Sequence, residues 1–285
     1  MKTDRLKDKV VVIGGGAGGI GCTTAMLLAS RGAAIVVASR ANSRLVSLQE
    51  ELRFINPENI CIATDLRRHD AWSSLMQTVH QRFQRIDVLI NCVGTLIPRS
   101  LESFKPEEIE DIVATNLLTV VYGTRAAVRF MKSQGHGTII NVGSLGGIVP
   151  MPFESLYSAA KFAVRGFSLS MYQELEGTGI DISLISPGSV RTKMLDLEAT
   201  DDRSSISFVQ SPLDRMKVAR AVAHLIEKPK REIILPRITG RLAQVVNLFP
   251  ALFGISYPAL RFLGERNLKK YRQQFCHQAN LATTE

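Results

Sequence analysis

Seven short apolar runs punctuate the chain, at 10–13, 35–38, 60–63, 88–90, 138–142, 182–185 and 233–235. Each is rich in Val and Ile, and none alternates cleanly with polar residues. That is how a strand covered on both faces reads. Between them lie helix-length segments at 19–31, 43–54, 71–83, 106–133, 157–175 and 212–227. Strands alternating with helices predict right-handed crossovers and a parallel sheet with helices on both faces. No repeat or low-complexity linker occurs before Pro236. The expectation is one α/β domain of about seven strands over 1–236 and a separate C-terminal extension over 237–285. A chain of 285 residues has room for one sizeable core and little more.

The extension has its own pattern. Residues 242–260 carry no charge, but Pro250, Gly254 and Pro258 break the run, and Gln244 and Asn247 interrupt its apolarity. This predicts two short helical pieces rather than a straight membrane span. Charge changes the picture further. The net charge is +9, of which residues 228–285 supply +7, with ten Lys/Arg against three Asp/Glu. A basic tail suits nucleic acid, an anionic membrane surface or an acidic partner. The adjoining apolar stretch favours the membrane and speaks against nucleic acid. Phe249, Phe253 and Tyr257, followed by Lys269, Lys270 and Arg272, suit a bilayer interface. Two other readings stay open for 242–272: a roof over an apolar substrate pocket, and a cap packed on the domain.

Composition excludes a disordered chain, a fibre and a disulfide miniprotein, with 45% hydrophobic and 21% charged residues. Cys22, Cys61, Cys92 and Cys276 form no Cys-x-x-Cys pair and read as reduced thiols. Residues 1–9 are charged and do not resemble a secretory signal. The expected location is cytoplasmic, with the tail as a peripheral membrane contact. His69, His80, His136, His224 and His277 form no His-x-x-x-His pair and join no Cys/Asp/Glu cluster, so no catalytic metal is expected.

The first apolar run ends in Gly14-Gly15-Gly16-Ala17-Gly18-Gly19-Ile20-Gly21. A strand, then glycines, then a helix is the context of a dinucleotide site. Glycine permits the tight turn and lets backbone approach a pyrophosphate, which sits on the helix N-terminus. A simple structural turn is the plainer reading. The second run ends at Ser39-Arg40. An NAD site would place an acid near here. Arg40 instead offers a planar fork for a 2′-phosphate, with Arg44 close enough in sequence to assist. NADP(H) is therefore the expected cofactor, against the alternative of a solvated surface arginine.

Tyr157 and Lys161 stand at i and i+4, on one face of a helix, and Ser144 lies upstream, just beyond the fifth strand. Residues at the carboxyl ends of parallel strands face the ligand crevice. A nearby ammonium lowers the pKa of a phenol, and a hydroxyl can stabilise charge developing on a carbonyl oxygen. No Gly-x-Ser-x-Gly elbow makes Ser144 a nucleophile.

Gly15-x-x-x-Gly19-Ile20-Gly21, Asn91-Cys92-Val93-Gly94, Asn116, Ser144, Tyr157-x-x-x-Lys161 and Pro187-Gly188 occur in an order that resembles the short-chain dehydrogenase/reductase family. The resemblance covers roughly residues 6–236 and implies a Rossmann-type, doubly wound fold. Two details depart from the family pattern. Gly14 stands where a Thr commonly precedes the first glycine, and Asn91-Cys92-Val93-Gly94 replaces Asn-Asn-Ala-Gly. The resemblance implies that Tyr157 is the general acid-base and that Lys161 also binds the nicotinamide ribose. It implies that Asn116 holds a water on a proton path to Lys161, against the plainer reading of a helix polar residue satisfied by backbone. It further implies cofactor contacts from Asn91, Gly94, Pro187, Gly188, the Val190 backbone and the Thr192 hydroxyl. Asp65 and Leu66 look like the pair that contacts adenine. Family members commonly associate through the helices at 106–133 and 157–175, which implies a homodimer or homotetramer.

The expected function is interconversion of a ketone and a secondary alcohol on a hydrophobic carbonyl or alcohol substrate. Steroid, fatty-acyl, retinoid-like and polyketide-like ketones all stay open. NAD-linked alcohol oxidation is the rival enzyme reading, and a silent dinucleotide-binding or membrane-associated regulatory protein is the rival outside enzymology. Residues 194–211 are polar and irregular and read as a mobile lid. Glu154 either borders the substrate or, more simply, is a solvated loop carboxylate.

Overall fold

β-branched runs that cannot leave either face in water give a sheet buried on both sides. The computed structural model describes residues 6–40 and 42–282, excepting the side chains of 250 and 275–282. The strands are β1 (Val10–Gly14), β2 (Ala34–Ser39), β3 (Ile60–Ala63), β4 (Val88–Asn91), β5 (Gly137–Val142), β6 (Ile180–Pro187) and β7 (Glu232–Leu235). All pair in parallel, in the order β3-β2-β1-β4-β5-β6-β7. The order reverses between β1 and β4, which opens a crevice at their carboxyl ends.

Alternate residues of one strand feed opposite cores. Val11 and Ile13 pack with Leu28 of α1 (Gly19–Ser30), Leu48 of α2 (Ser43–Ile55) and Val222 of α8 (Arg215–Glu227). Val10 and Val12 pack on the other face with Trp72 and Met76 of α3 (His69–Phe83) and Met131 of α5 (Thr119–Gln134). Caps fix several helix starts. The Asn42 side chain accepts from Leu45 N before α2, and Asp214 accepts from Met216 N before α8.

Three expectations need correction. The segment 106–133 is not one helix. It runs as α4 (Pro106–Val113), a π turn (Ala114–Leu118) and α5. Residues 194–211 are not an irregular lid. They form α7 (Lys193–Glu198) and a 3₁₀ segment (Asp202–Phe208) whose Ser204, Ser205, Ser207 and Phe208 are buried. The extension is not two short pieces. After α9 (Arg237–Leu248) comes α10 (Pro250–Ala282), 33 residues that run through Pro258.

The last two corrections share a cause. Gly264 lies so close to the 3₁₀ segment that a Cβ there would overlap the Ser205 carbonyl. Asn267 Nδ2 donates to Phe208 O at 3.0 Å, and the Tyr271 hydroxyl donates to Asp196 at 2.8 Å. Arg272 bonds Ala199 O and Asp202. Leu268 joins Leu195, Ala199 and Phe208 in a small core. This packing extends α10 beyond its proline and orders α7 and the 3₁₀ turn at the same time. α6 (Ser155–Glu174), between β5 and β6, carries Tyr157 and Lys161.

Candidate active site

The glycine loop folds because no side chain fits there. Gly15 has φ +80°, and a Cβ on it would lie 2.7 Å from Cys92 O, while one on Gly21 would lie 2.5 Å from Gly15 O. The loop thus lets β1, β4 and α1 meet closely. Gly18 caps α1 without a side chain, and the first turn holds no acid. Its N–H groups are left for an anion.

A cleft of about 240 Å³ opens beside this loop. Of the contacts predicted for a dinucleotide, Gly15, Ser39, Arg40, Asp65, Leu66 and Gly94 line it, and Gly18 joins them. Arg40 is exposed at its rim and its charge helps to lower Asp65, which is held down first by Arg67. The shape and the donors fit a nicotinamide dinucleotide: a glycine cradle, an unshielded helix start and a cationic end at β2.

Gly19, Ile20, Gly21, Arg44, Asn91, Tyr157, Lys161, Pro187, Gly188, Val190 and Thr192, also expected as contacts, do not line this cleft. Arg44 bonds Glu51 of its own helix at 2.5 Å and Cys22 Sγ of α1 at 2.8 Å, and these hold it away from the cleft. Asn91 is buried, and its Nδ2 donates to Asn141 at 2.9 Å and Thr124 at 3.2 Å, which ties β4 to β5 and α5. Thr192 faces the other wall, packed over Gly19, with its hydroxyl donating to Val190 O at 3.2 Å. Pro187 ends β6, and a Cβ on Gly188 would lie 2.6 Å from Gln210 Nε2, so this turn also closes on its neighbours. Sequence reasoning missed Asn42, Arg67, Thr115 and Thr119, which line the cleft. Arg67 also bridges Asp65 and Asp111. Its position two residues after Asp65 was the available signal.

Ser144, Tyr157 and Lys161 converge beyond the cleft's far end. Ser144 ends the loop after β5, where its Oγ accepts from Gly146 N at 3.0 Å. Lys161 is buried on α6, donates to Val142 O at 3.0 Å, and holds its Nζ 5.7 Å from the Tyr157 ring centre. Burial lowers Lys161 to about 8. Burial pushes the Tyr157 phenol up, and the neighbouring Ser144 hydroxyl offsets this only in part. The expected lowering of the phenol is therefore not what dominates: desolvation is the largest influence and raises it, and the nearby Glu198 and Glu154 add to the rise. Tyr157 stays protonated at neutral pH, ready to donate.

Asn116 enters through the π turn, a feature that recurs at functional sites. Its Nδ2 donates to Thr95 O at 2.9 Å and Ile112 O at 3.0 Å, and its Oδ1 accepts from Thr95 N at 3.1 Å. The side chain is thus satisfied by backbone, as the plainer reading had it. A Cβ on Gly94 would lie 3.3 Å from Asn116 Oδ1 and 3.7 Å from Lys161 Nζ, so both atoms border one small space. Asn116 holds that space open by fixing α4 against the β4 loop.

Glu154 is a correction. It is 3% exposed, not solvated. Cys22, Cys61 and Cys92 are free thiols, while the Cys276 side chain lies outside the described residues. Among the described residues, no cluster of three or more His, Cys, Asp or Glu side chains is placed to hold a metal.

Known proteins are similar to this chain in sequence and fold. The family model for short chain dehydrogenases matches residues 9–203. An uncharacterized oxidoreductase of Staphylococcus saprophyticus is 33% identical over 236 residues, 81% of this chain and 95% of that protein. The ketoacyl reductase HetN of Nostoc is 32% identical over 230 residues, covering 81% of this chain and 79% of its own length. The crystal structure of levodione reductase superposes with a TM-score of 0.75 at 26% identity, over 83% of this chain and 99% of that one. With the sheet order, the glycine cradle and the Ser144–Tyr157–Lys161 cluster on one crevice, these matches place the chain in the short-chain dehydrogenase/reductase family, as an oxidoreductase of that type.

Proposed function

We propose that the chain is an NADP(H)-dependent reductase that converts a ketone to a secondary alcohol. The observation that carries this reading is the Tyr157 ring set beside Ser144 and Lys161, with the Lys161 Nζ 5.7 Å from its centre, next to a cleft with Arg40 at its rim. The bound cofactor would supply the hydride. The Ser144 hydroxyl donates to the carbonyl oxygen, and Tyr157 delivers the proton to that oxygen. Lys161 and the space beside Asn116 and Gly94 provide the route by which the phenol is reprotonated. Ser39 and Arg40 would hold the adenosine end, with Asp65 and Leu66 at the base. Gly19, Ile20, Gly21, Val190 and Thr192 flank the nicotinamide end. HetN and levodione reductase are both named for reductions, which supports the direction. The test is oxidation of NADPH, and separately of NADH, against a panel of ketones. No turnover with either cofactor sinks the reading.

We also propose a homodimer or homotetramer built on α4–α5 and α6. Ala159, Ala163 and Gly166 are exposed on α6, and Gly166 has open space where a Cβ would stand. Small exposed residues let a second copy's helix approach closely. Light scattering at micromolar concentration is expected to give two or four protomers, and Gly166→Arg to shift the species toward one. A monodisperse wild-type monomer contradicts this.

A peripheral contact with an anionic membrane completes the reading. No described helix is long and apolar enough to cross a bilayer. α9 instead turns its small residues inward, with Gly240 packed on Ile234 and Ala243 buried, and its large apolar ones outward. Ile238, Leu242, Leu248 and Phe249 are exposed, and α10 continues the patch with Ile255 and Phe262. Arg237, Arg241, Arg261 and Arg266 lie among them. An apolar face edged with cations suits an interface in which each basic residue contributes about 1 kcal/mol. The full chain is expected to float with phosphatidylserine vesicles at low salt and to be released at high salt. Leu242→Asp with Ile255→Asp should abolish flotation. A wild-type chain that stays soluble at low salt refutes the contact.

A further inference from the structure

From Pro236 to Gly264 the sequence holds no Asp or Glu. Eight of the fifteen large apolar side chains exposed among the described residues fall in 238–262. Such a concentration of exposed apolar surface marks an interaction site. Ile238, Leu242 and Val245 recur at i, i+4 and i+7, on one face of α9. Arg237 and Arg241 are exposed on the same helix and form no ion pair among the described residues. Cations without acids attract anionic headgroups and repel none.

The inner side of the same two helices holds the segment that follows β6. The Thr239 hydroxyl, on α9, donates to Gln210 Oε1 at 2.7 Å. Asn267, on α10, donates to Phe208 O at 3.0 Å and Val209 O at 3.3 Å. Leu268 packs on Leu195, Ala199 and Phe208. The segment in turn lies against the reacting groups. A Cβ on Gly188 would meet both Gln210 Nε2 at 2.6 Å and Leu145 Cδ1 at 3.1 Å, so Gln210 stands close to the residue after Ser144. Glu198 is near enough for its charge to raise the Tyr157 phenol. The Arg203 guanidinium lies 6.0 Å from the centre of the Phe153 ring, and Phe153 shares a small cavity with Tyr157. That cavity has no room for a water molecule. A ketone approaches the phenol from this side only if the segment 193–210 moves. Gln210, Phe208 and the Leu268 core tie such movement to α9 and α10.

Building on the reductase and membrane readings above, we propose that α9, α10 and the segment 193–210 form one membrane-facing roof, and that the substrate is a long-chain amphiphilic ketone dissolved in an anionic bilayer. Docking of α9 and α10 loosens the roof, and the ketone enters beneath it from the lipid side. Exposing methylenes to water is costly, so a long chain leaves the bilayer along an apolar path. The outward faces of α9 and α10 supply that path, and the roof stands at its end.

The experiment uses the full-length chain with vesicles of phosphatidylserine and phosphatidylcholine. Reduction of pentadecan-2-one held in the vesicles is compared with reduction of water-soluble pentan-2-one, and flotation of the same samples is read in parallel. At low salt the ratio of long-chain to short-chain kcat/KM is expected to be at least about tenfold higher with phosphatidylserine present than with phosphatidylcholine alone. Leu242→Asp with Ile255→Asp should collapse that ratio. An equal loss on both ketones would show that the face serves only the fold, and would overturn the proposal. A wild type that floats with an unchanged ratio overturns it too, and leaves the membrane reading standing. Failure to float takes down the membrane reading and the proposal together. If neither ketone is reduced, hydrogen exchange decides. Amides of 193–210 in the wild type should exchange at least about twofold faster on phosphatidylserine vesicles, and those of the double variant should not change. Unchanged or slower exchange in a wild type that floats overturns the roof, whatever becomes of the reductase reading.

Discussion

Replacing Tyr157 by Phe is expected to lower kcat by about 10²- to 10⁴-fold, the usual contribution of a positioned acid-base group. The ring is held in the cavity with Ile112, Leu156 and Glu154, so Phe should keep the packing and lose only the proton donor. The dinucleotide Kd should stay within about twofold, because the cleft lined by Gly15, Ser39, Arg40 and Asp65 does not include the phenol. Stopped-flow measurement separates the two effects. Nucleotide binding, read by protein or cofactor fluorescence, should persist while the hydride-transfer phase disappears. A Phe variant with wild-type turnover would remove Tyr157 from the mechanism.

Arg40→Asp is expected to reverse the cofactor preference. A charge-assisted hydrogen bond to a phosphate contributes about 1.5–3 kcal/mol, or roughly 10- to 150-fold in affinity. The loss should fall on kcat/KM for NADPH. NADH should improve, since an acid at this place accepts from a ribose 2′-hydroxyl. Arg40 stands alone of the two arginines read from the sequence, because Arg44 is held by Glu51 and Cys22. Arg44→Ala should accordingly move the NADPH preference far less than Arg40→Asp. Arg67 is the neighbour to compare, since it lines the cleft while pairing with Asp65 and Asp111. A wild-type preference for NADH would end the argument.

What was legible in the sequence was whatever local chemistry decides. Val10 to Ile13 reads as a buried strand because β-branched residues fit nothing else so well, and the glycines after it read as a turn because of their missing side chains. Ser144, Tyr157 and Lys161 were legible because helical spacing and a strand end set them together. What stayed hidden depends on partners distant in sequence. The π turn at Ala114–Leu118 follows from bonds between Asn116 and Thr95, on a loop that periodicity does not see. Glu154 looks solvated in its own loop, and residues distant in sequence, among them Ile97, Ile112, Glu198 and Ser204, surround it. Residues 194–211 look irregular because their ordering comes from Gly264, Asn267 and Tyr271. Arg44 was misplaced for a simpler reason, in that Glu51 lies two turns along the same helix and within its reach.

The clamp that α10 places on the 3₁₀ segment also sets an order of assembly during synthesis. The residues that line the dinucleotide cleft run from Gly15 to Thr119, and the core behind them is closed by α8 at Arg215–Glu227. The 3₁₀ segment waits for its contacts with Gly264 to Arg272, among the last residues to leave a ribosome. A nascent chain stalled between these points should hold nucleotide yet leave Glu198 and Ser204 unanchored. The newly made protein is thus expected to bind cofactor before its fold is complete, and a chain terminated in α10 is expected to bind cofactor without turning it over. Retention of stalled chains on a dinucleotide resin, with no ketone reduction after release, would show it.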